Sequence, residues 1–282
     1  MKHTTLSALI FIIAIQSSLL AQPITAPLDE LVEVPQEERV EEFTDKSILI
    51  FTPHPDDETF SMGGTLARLA SRGNAINIVI YTNDNKGSQD LDMTRERLAR
   101  IRRAEEELSS KILGIDKKQL HWLGYEDGDL EYADPQVLRG KIARYIKLFK
   151  PDAVFTLDPG NMDVQWHKTD HRMAANITQD AFIAAEWHLY YPQHYLDEGL
   201  EAFQVPQVYY YYSQRPNYEV ELTKEEFDLK MRAAAAHVSQ FEPSVKKYQS
   251  TMPAEVFEGI YNRFSVLNKS DSGGYSERFR RR

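Results

Sequence analysis

The chain of 282 residues has no cysteine. That excludes a disulfide framework, thiol chemistry and the lipid-carrying cysteine of a lipoprotein anchor. A positive charge balance is also missing: 43 Asp and Glu against 33 Lys and Arg give a formal charge of −10. Nucleic acid and anionic membrane surfaces require a basic footprint, so neither is expected as a partner. Nor is there a long apolar run. The nearest, residues 6–15, follows Lys2 and is interrupted by Gln16, Ser17 and Ser18, short of the ~20 residues a membrane span needs. With the small residue Ala21 before Gln22, this stretch has the form of a secretory signal. An uncleaved anchor is the alternative that its length disfavours, so export to a periplasmic or extracellular space with no stable membrane anchor is expected. Removing 21 of 282 residues leaves 261 and, with Lys2 gone, a charge of −11. An exported chain without disulfides must rely on its core, and that length suffices for one sizeable domain. No internal repeat is visible.

What is present is organised around residues 47–58, Ser-Ile-Leu-Ile-Phe-Thr-Pro-His-Pro-Asp-Asp-Glu. Residues 48–51 are too few for a stable helix and rich in β-branched and aromatic side chains, so they read as a buried strand. Pro53 and Pro55 cannot donate to a ladder and end it. His54, Asp56, Asp57 and Glu58 therefore follow the carboxyl end of a strand, where open α/β sheets hold ligands. One imidazole and three carboxyls within five residues would repel one another in a purely structural turn. A bound cation offsets that cost.

Strand-like and helix-like stretches then alternate. Residues 62–71 have helical spacing, opened by Gly63 and Gly64, which allow close approach of chain or ligand. A strand at 76–81 runs into a polar turn at 82–88, and a charged helix at 93–113 ends at Gly114. Strands at 120–123 and 153–157 flank a helix at 137–149, and residues 172–185 are helical. This order predicts an α/β fold, a Rossmann-like, mainly parallel sheet covered by helices on both faces. Further on, residues 205–213 read as a strand pairing antiparallel with 218–222, and Thr223 to Glu226 form a capping box for a helix through Ala236. The fold thus adds a C-terminal strand pair and helices. Tyr209 to Tyr212 alternate between faces and read as sheet packing rather than a sugar-stacking wall. The expected division is a signal peptide at 1–21, an acidic linker or arm outside the core at 22–45, one domain at 46–269 and a disordered tail at 270–282.

His54 and Asp57, three apart across a tight turn, can reach one ion. A catalytic zinc takes nitrogen and carboxylate oxygen from three protein ligands and keeps one position open. The best third ligand is His171, after the fourth strand and in the first turn of a helix, whose positive end favours a neutral ring.

These residues carry a resemblance. Pro53-His-Pro-Asp-Asp-Glu58, with Asp170-His171 downstream, resembles the PIG-L/LmbE-like family of zinc-dependent N-deacetylases. Lys86-Gly87-Ser88, Leu113-Gly114, the stretch from Leu123 to Gly128 and Ala236-His237-Val-Ser-Gln240 are similar as well, so the resemblance spans roughly residues 47–240. The first motif is the specific one. The resemblance implies that His54, Asp57 and His171 hold Zn2+, although ligand type also permits other divalent transition metals. It implies Asp56 as general base, and a substrate of the N-acetylglucosamine type, free or conjugated. The family's His-x-Asp-His spacing is not kept: His167 lies one residue too far, and Lys168 stands in its place. His167 is the first candidate for the oxyanion or acid role and Lys168 the second. Asp170 is expected to orient a histidine. His237 is a candidate to contact substrate or metal-held water, and Arg103 to touch substrate, with a solvated helix face as the competing reading. A metal amidase or esterase for a non-sugar substrate, and a sugar-binding module without catalysis, are the rival readings. Retention of Asp56 speaks against the second, because binding alone needs no base.

Overall fold

The structure, a computed structural model, describes residues 38–160, 168–241 and 247–282. The expected signal peptide and most of the expected arm lie outside them. Its seven-stranded sheet comprises β1 (Ser47–Thr52), β2 (Ala75–Thr82), β3 (Leu120–Tyr125), β4 (Ala153–Leu157), β5 (Gln207–Tyr211), β6 (Tyr218–Leu222) and β7 (Tyr275–Arg281). Their order is β3-β2-β1-β4-β5-β7-β6. The first five are mutually parallel, and β7 runs antiparallel to both β5 and β6. Between them run α1 (Asp57–Ser71), α2 (Arg95–Ile112), α3 (Pro135–Phe149), α4 (Thr169–Glu186), the short α5 (Gln193–Glu198), α6 (Lys224–Ala236) and α7 (Ala254–Leu267).

Alternation along the strands splits the core in two. Ile48, Ile50, Ile78, Phe155 and Tyr209 face α1 and α6, while Leu49, Phe51, Val79, Val154 and Tyr210 face α3 and α4. Burial on both faces explains why these strands read as continuous apolar runs. Tyr209, Tyr210 and Tyr211 are at most 1% exposed, packed in the sheet as their alternation predicts. Gly63 and Gly64 do permit close approach, inside α1 rather than at its start. A Cβ on Gly64 would lie 2.4 Å from the Leu222 side chain. Among the described residues no helix is long and apolar enough to cross a membrane.

Three expectations are corrected. The tail is not disordered at residues 275–281: it is β7, inserted between β5 and β6, so those two do not pair directly. Its basic side chains are accommodated because they lie over aromatic faces and pair with carboxylates. The Arg280 guanidinium sits 4.2 Å over Tyr210 and donates to Asp158, and Arg278 pairs with Glu219. The arm also reaches the core at its end, where Val40 is fully buried and Phe43 is 3% exposed. Finally, helix α1 starts within the acidic motif, at Asp57 instead of Met62.

Candidate active site

In this strand order the chain leaves β1 toward β2 on one side, while β4 lies on the other. That reversal opens a crevice at the carboxyl ends of β1 and β4, the switch point where doubly wound sheets hold ligands. Both predicted clusters fall there. The turn after β1 is fixed by Thr82, whose amide and hydroxyl donate to the Pro53 carbonyl at 3.0 and 2.9 Å. Asp56 then takes φ +136°, a backbone region that favours glycine, as it caps α1. Such strain persists only where the surroundings impose it. Here it separates the two adjacent aspartates.

His54, Asp57 and His171 each present a ligand atom within one 4.8 Å cluster. His54 Nδ1 is 3.1 Å and His171 Nε2 3.2 Å from the same Asp57 oxygen, Oδ2. The far nitrogen of His54, Nε2, meets Asp170 at 3.2 Å and Asp127 at 3.3 Å. Those carboxylates fix which nitrogen turns toward Asp57, as carboxylate partners of metal-binding histidines do. Asp170 accepts in addition from the amides of Gly128 and Leu130, which ties the loop after β3 to the site. Tyr212 stacks on His171 with an interplanar angle of 12°, and its hydroxyl donates to the Asp57 carbonyl.

Negative charge converges on this point. Burial opposes a charged His54, yet Asp127, Asp170 and Asp57 outweigh it and hold its pKa well above the usual value. Burial likewise works against the Asp57 carboxylate, but His171 and His54 depress its pKa well below the ordinary range. Asp56 moves the opposite way, raised by burial and by the neighbouring Asp57 and Asp84. Adjacent carboxyls with opposed shifts suit different tasks. The exposed Lys168, at the N-cap of α4, keeps its pKa raised because Asp57, Asp56 and Asp84 overcome partial burial. His167 lies outside the described residues.

A tetrahedral ion with ligand bonds of about 2.0–2.1 Å sets its donors about 3.3 Å apart. The N···O separations of 3.1 and 3.2 Å around Asp57 Oδ2 match that spacing. Two imidazoles and a carboxylate, with further carboxylates behind, fit a divalent ion of the zinc type.

A second layer supports the first. Arg102 donates to the carbonyls of Asp84 and Gly87, each at 2.7 Å, and pairs with Asp84 Oδ2 at 2.6 Å. Gln240 donates to Asp84, and Ser239 donates to Glu105 through both amide and hydroxyl. The stretch from Ala236 to Gln240 thus locks the turn after β2. Arg103 is exposed, beside Glu107 and over Trp122, on the solvated face that was the alternative reading, and its neighbour Arg102 is the one turned inward. His237 lies inside the fold. Its ring is fully buried, 3.7 Å from Glu106, and burial lowers its pKa to about 3. Glu58 and Glu106 share that compartment, and burial raises both carboxyls. Sequence reasoning missed Asp84, Asp127, Arg102 and Tyr212. Asp84 and Asp127 do fall in turns already marked by position or resemblance.

The family model described as GlcNAc-PI de-N-acetylase (PIG-L) matches residues 49–182. The chain is 32% identical over 206 residues to the diacetylchitobiose deacetylase of Thermococcus kodakarensis, covering 73% of this chain and 74% of that protein. It belongs to the PIG-L family. Among solved structures, the N,N'-diacetylchitobiose deacetylase of Pyrococcus horikoshii aligns with a TM-score of 0.73 at 28% identity, over 86% of this chain and 89% of that one. A 4-carboxy-2-hydroxymuconate hydratase of Pseudomonas putida KT2440 aligns with a TM-score of 0.64 at 19% identity, over 84% and 95%. The family's fold therefore hosts more than one reaction, and function must be argued from the site.

Proposed function

We propose that this PIG-L family protein is an exported, zinc-dependent deacetylase that hydrolyses the N-acetyl group of an N-acetylglucosamine-type sugar or conjugate. The observation that carries the reading is the triad His54, Asp57 and His171 around one carboxylate oxygen, with Asp56 held apart from it by its strained backbone. A zinc ion held by the triad would acidify a water and polarise the amide carbonyl. Asp56, adjacent to the triad but outside it, takes the proton from the attacking water and hands it on to the departing amine. A tetrahedral oxyanion needs a donor. Lys168, cationic beside Asp56 and Asp57, is the described residue that meets this need; His167 remains the rival for the same task. Asp127 and Asp170 hold the His54 ring in its working tautomer. Export rests on the residue 1–21 pattern alone.

The test is acetate release from a panel of N-acetylglucosamine derivatives, before and after chelation and after zinc is restored. Activity should vanish and return. Asp56→Asn should keep bound metal while lowering kcat by about 10²–10⁴-fold. A variant with metal intact and a wild-type rate would remove Asp56 from the reaction.

A further inference from the structure

Next to the metal triad lies a cavity of about 810 Å³ that the deacetylation chemistry does not use. Its floor is Phe60, one turn beyond Asp57 on α1, about 5 Å along the helix axis. Phe60 packs against Phe241 and Phe264, with ring centroids 5.7 and 5.8 Å away. Tyr212 forms the side shared with the triad, since the same ring stacks on His171. Helix α7 supplies the opposite wall. It is anchored to α6 through Phe257 and Tyr261 on Phe227 and Met231. A second apolar strip, Val256, Ile260 and Phe264, recurs every four residues and lines the cavity.

This wall suits hydrocarbon better than a second sugar ring. Sugar hydroxyls need partners; Glu255 and Arg263 offer them only from the exposed side of α7, while Ser61 and Asn268 are committed. The Ser61 hydroxyl donates to the Asp57 carbonyl at 2.7 Å, and Asn268 accepts from Lys230 at 2.9 Å. An apolar group has no such requirement and gains from leaving water. The volume lies in the range that houses a drug-sized ligand, far beyond an acetyl group.

Resting on the deacetylase reading, we infer that this cavity is an aglycone subsite, and that the substrate is an N-acetylglucosaminide carrying an alkyl or aryl group. The amino sugar then sits at the triad with its hydrocarbon substituent passing Tyr212 onto Phe60 and the α7 strip.

The test is a glycoside series. Methyl, butyl and octyl N-acetylglucosaminides should show kcat/KM rising with chain length, by up to about fourfold per methylene buried, mainly through KM. Gly259 on α7 lines the cavity, and a Cβ there meets no atom within 4 Å, so Gly259→Trp should fold and fill the space. It should return the octyl substrate to the methyl value and leave methyl turnover within about twofold of wild type. Octyl glucoside, which has no amide to cleave, should bind the wild type below its micelle concentration and lose at least tenfold affinity in Gly259→Trp. That arm reads the cavity without the reaction. A flat series with methyl turnover intact overturns the subsite and spares the deacetylase. Silence on every glycoside with octyl glucoside still bound and displaced by Gly259→Trp keeps the apolar subsite and sinks the reaction. A gain for longer N-acyl chains instead of longer aglycones overturns the assignment, as does a preference for the disaccharide over the octyl glycoside. So does a change of oligomeric state in Gly259→Trp without any chain-length effect, which would make the cavity a contact between copies.

Discussion

Replacing Glu277 tests how the C-terminal strand is held in the fold. Its side chain is completely buried and pairs at 2.7 Å with the equally buried ammonium of Lys230. The second oxygen accepts from the Thr65 amide at 2.7 Å, and the first also from Gly64 at 3.0 Å. These amides follow Met62, where α1 departs from helical geometry. Glu277→Ala would strand a buried cation with only the Asn268 side chain and the Ser61 carbonyl as acceptors, and would orphan two backbone amides. Breaking a buried pair from one side costs about 3–5 kcal/mol. For a domain of this size each kcal/mol moves Tm by roughly 2–4 °C, so the midpoint should fall by roughly 6–20 °C. Removing both charges, as Glu277→Leu with Lys230→Met, should recover most of that loss, because the larger part of the cost is the uncompensated charge. Urea and thermal unfolding of wild type, Glu277→Ala and the double variant, followed by tryptophan fluorescence, give the numbers. A single variant that loses less than about 1 kcal/mol would refute the reasoning, as would a double variant no more stable than Glu277→Ala.

Other consequences are as direct. Asp170→Asn should weaken metal binding about 10–100-fold, read by competition with a chromophoric chelator; unchanged affinity would deny Asp170 its hold on His54. Gly64→Ala places a methyl 2.4 Å from a Leu222 methyl and should destabilise by about 1–3 kcal/mol through overpacking, measured by urea denaturation. Glu105 is buried, and that burial outweighs its bonds from Ser239 and raises its pKa to about 7. The folded state then keeps a proton that the unfolded chain releases near pH 4.3–4.5, so this contribution is full below that pH and is lost as pH climbs to about 7. The loss is at most about 4 kcal/mol. Glu105→Gln should flatten that part of the stability–pH curve, and an unchanged slope would count against it.

The legible parts of this molecule are those whose physics is local. Strands β1, β2 and β4 read as apolar runs because both their faces are covered, and the box from Thr223 to Glu226 caps its helix as expected. The triad was legible because its pieces follow strand ends. What escaped depends on neighbours that only the folded sheet supplies. Asp84 and Asp127 stand in turns that look solvated until the order β3-β2-β1 aligns their strand ends beside His54. Strand β7 escaped because arginines lying on tyrosines look the same in sequence as arginines in water.

Helix α2 shows how such a gap could be narrowed. Its buried positions include Leu98, Arg102, Glu105, Glu106 and Ser109, the spacing of a core-facing stripe filled mostly by polar groups. A polar stripe normally marks the solvated side, and by that rule Arg103 and Arg102 cannot be told apart. One residue turns a helix by about 100°, and only the inner of the two can reach the Asp84 and Gly87 carbonyls. Polar side chains are tolerated inside when what they face is itself polar. A stripe at core spacing that refuses to be apolar, on a helix following a strand-end turn, is therefore a pointer to the charged centre it supports. In this chain it points through Arg102 to Asp84, and from Asp84 to the Asp56 whose proton affinity it raises.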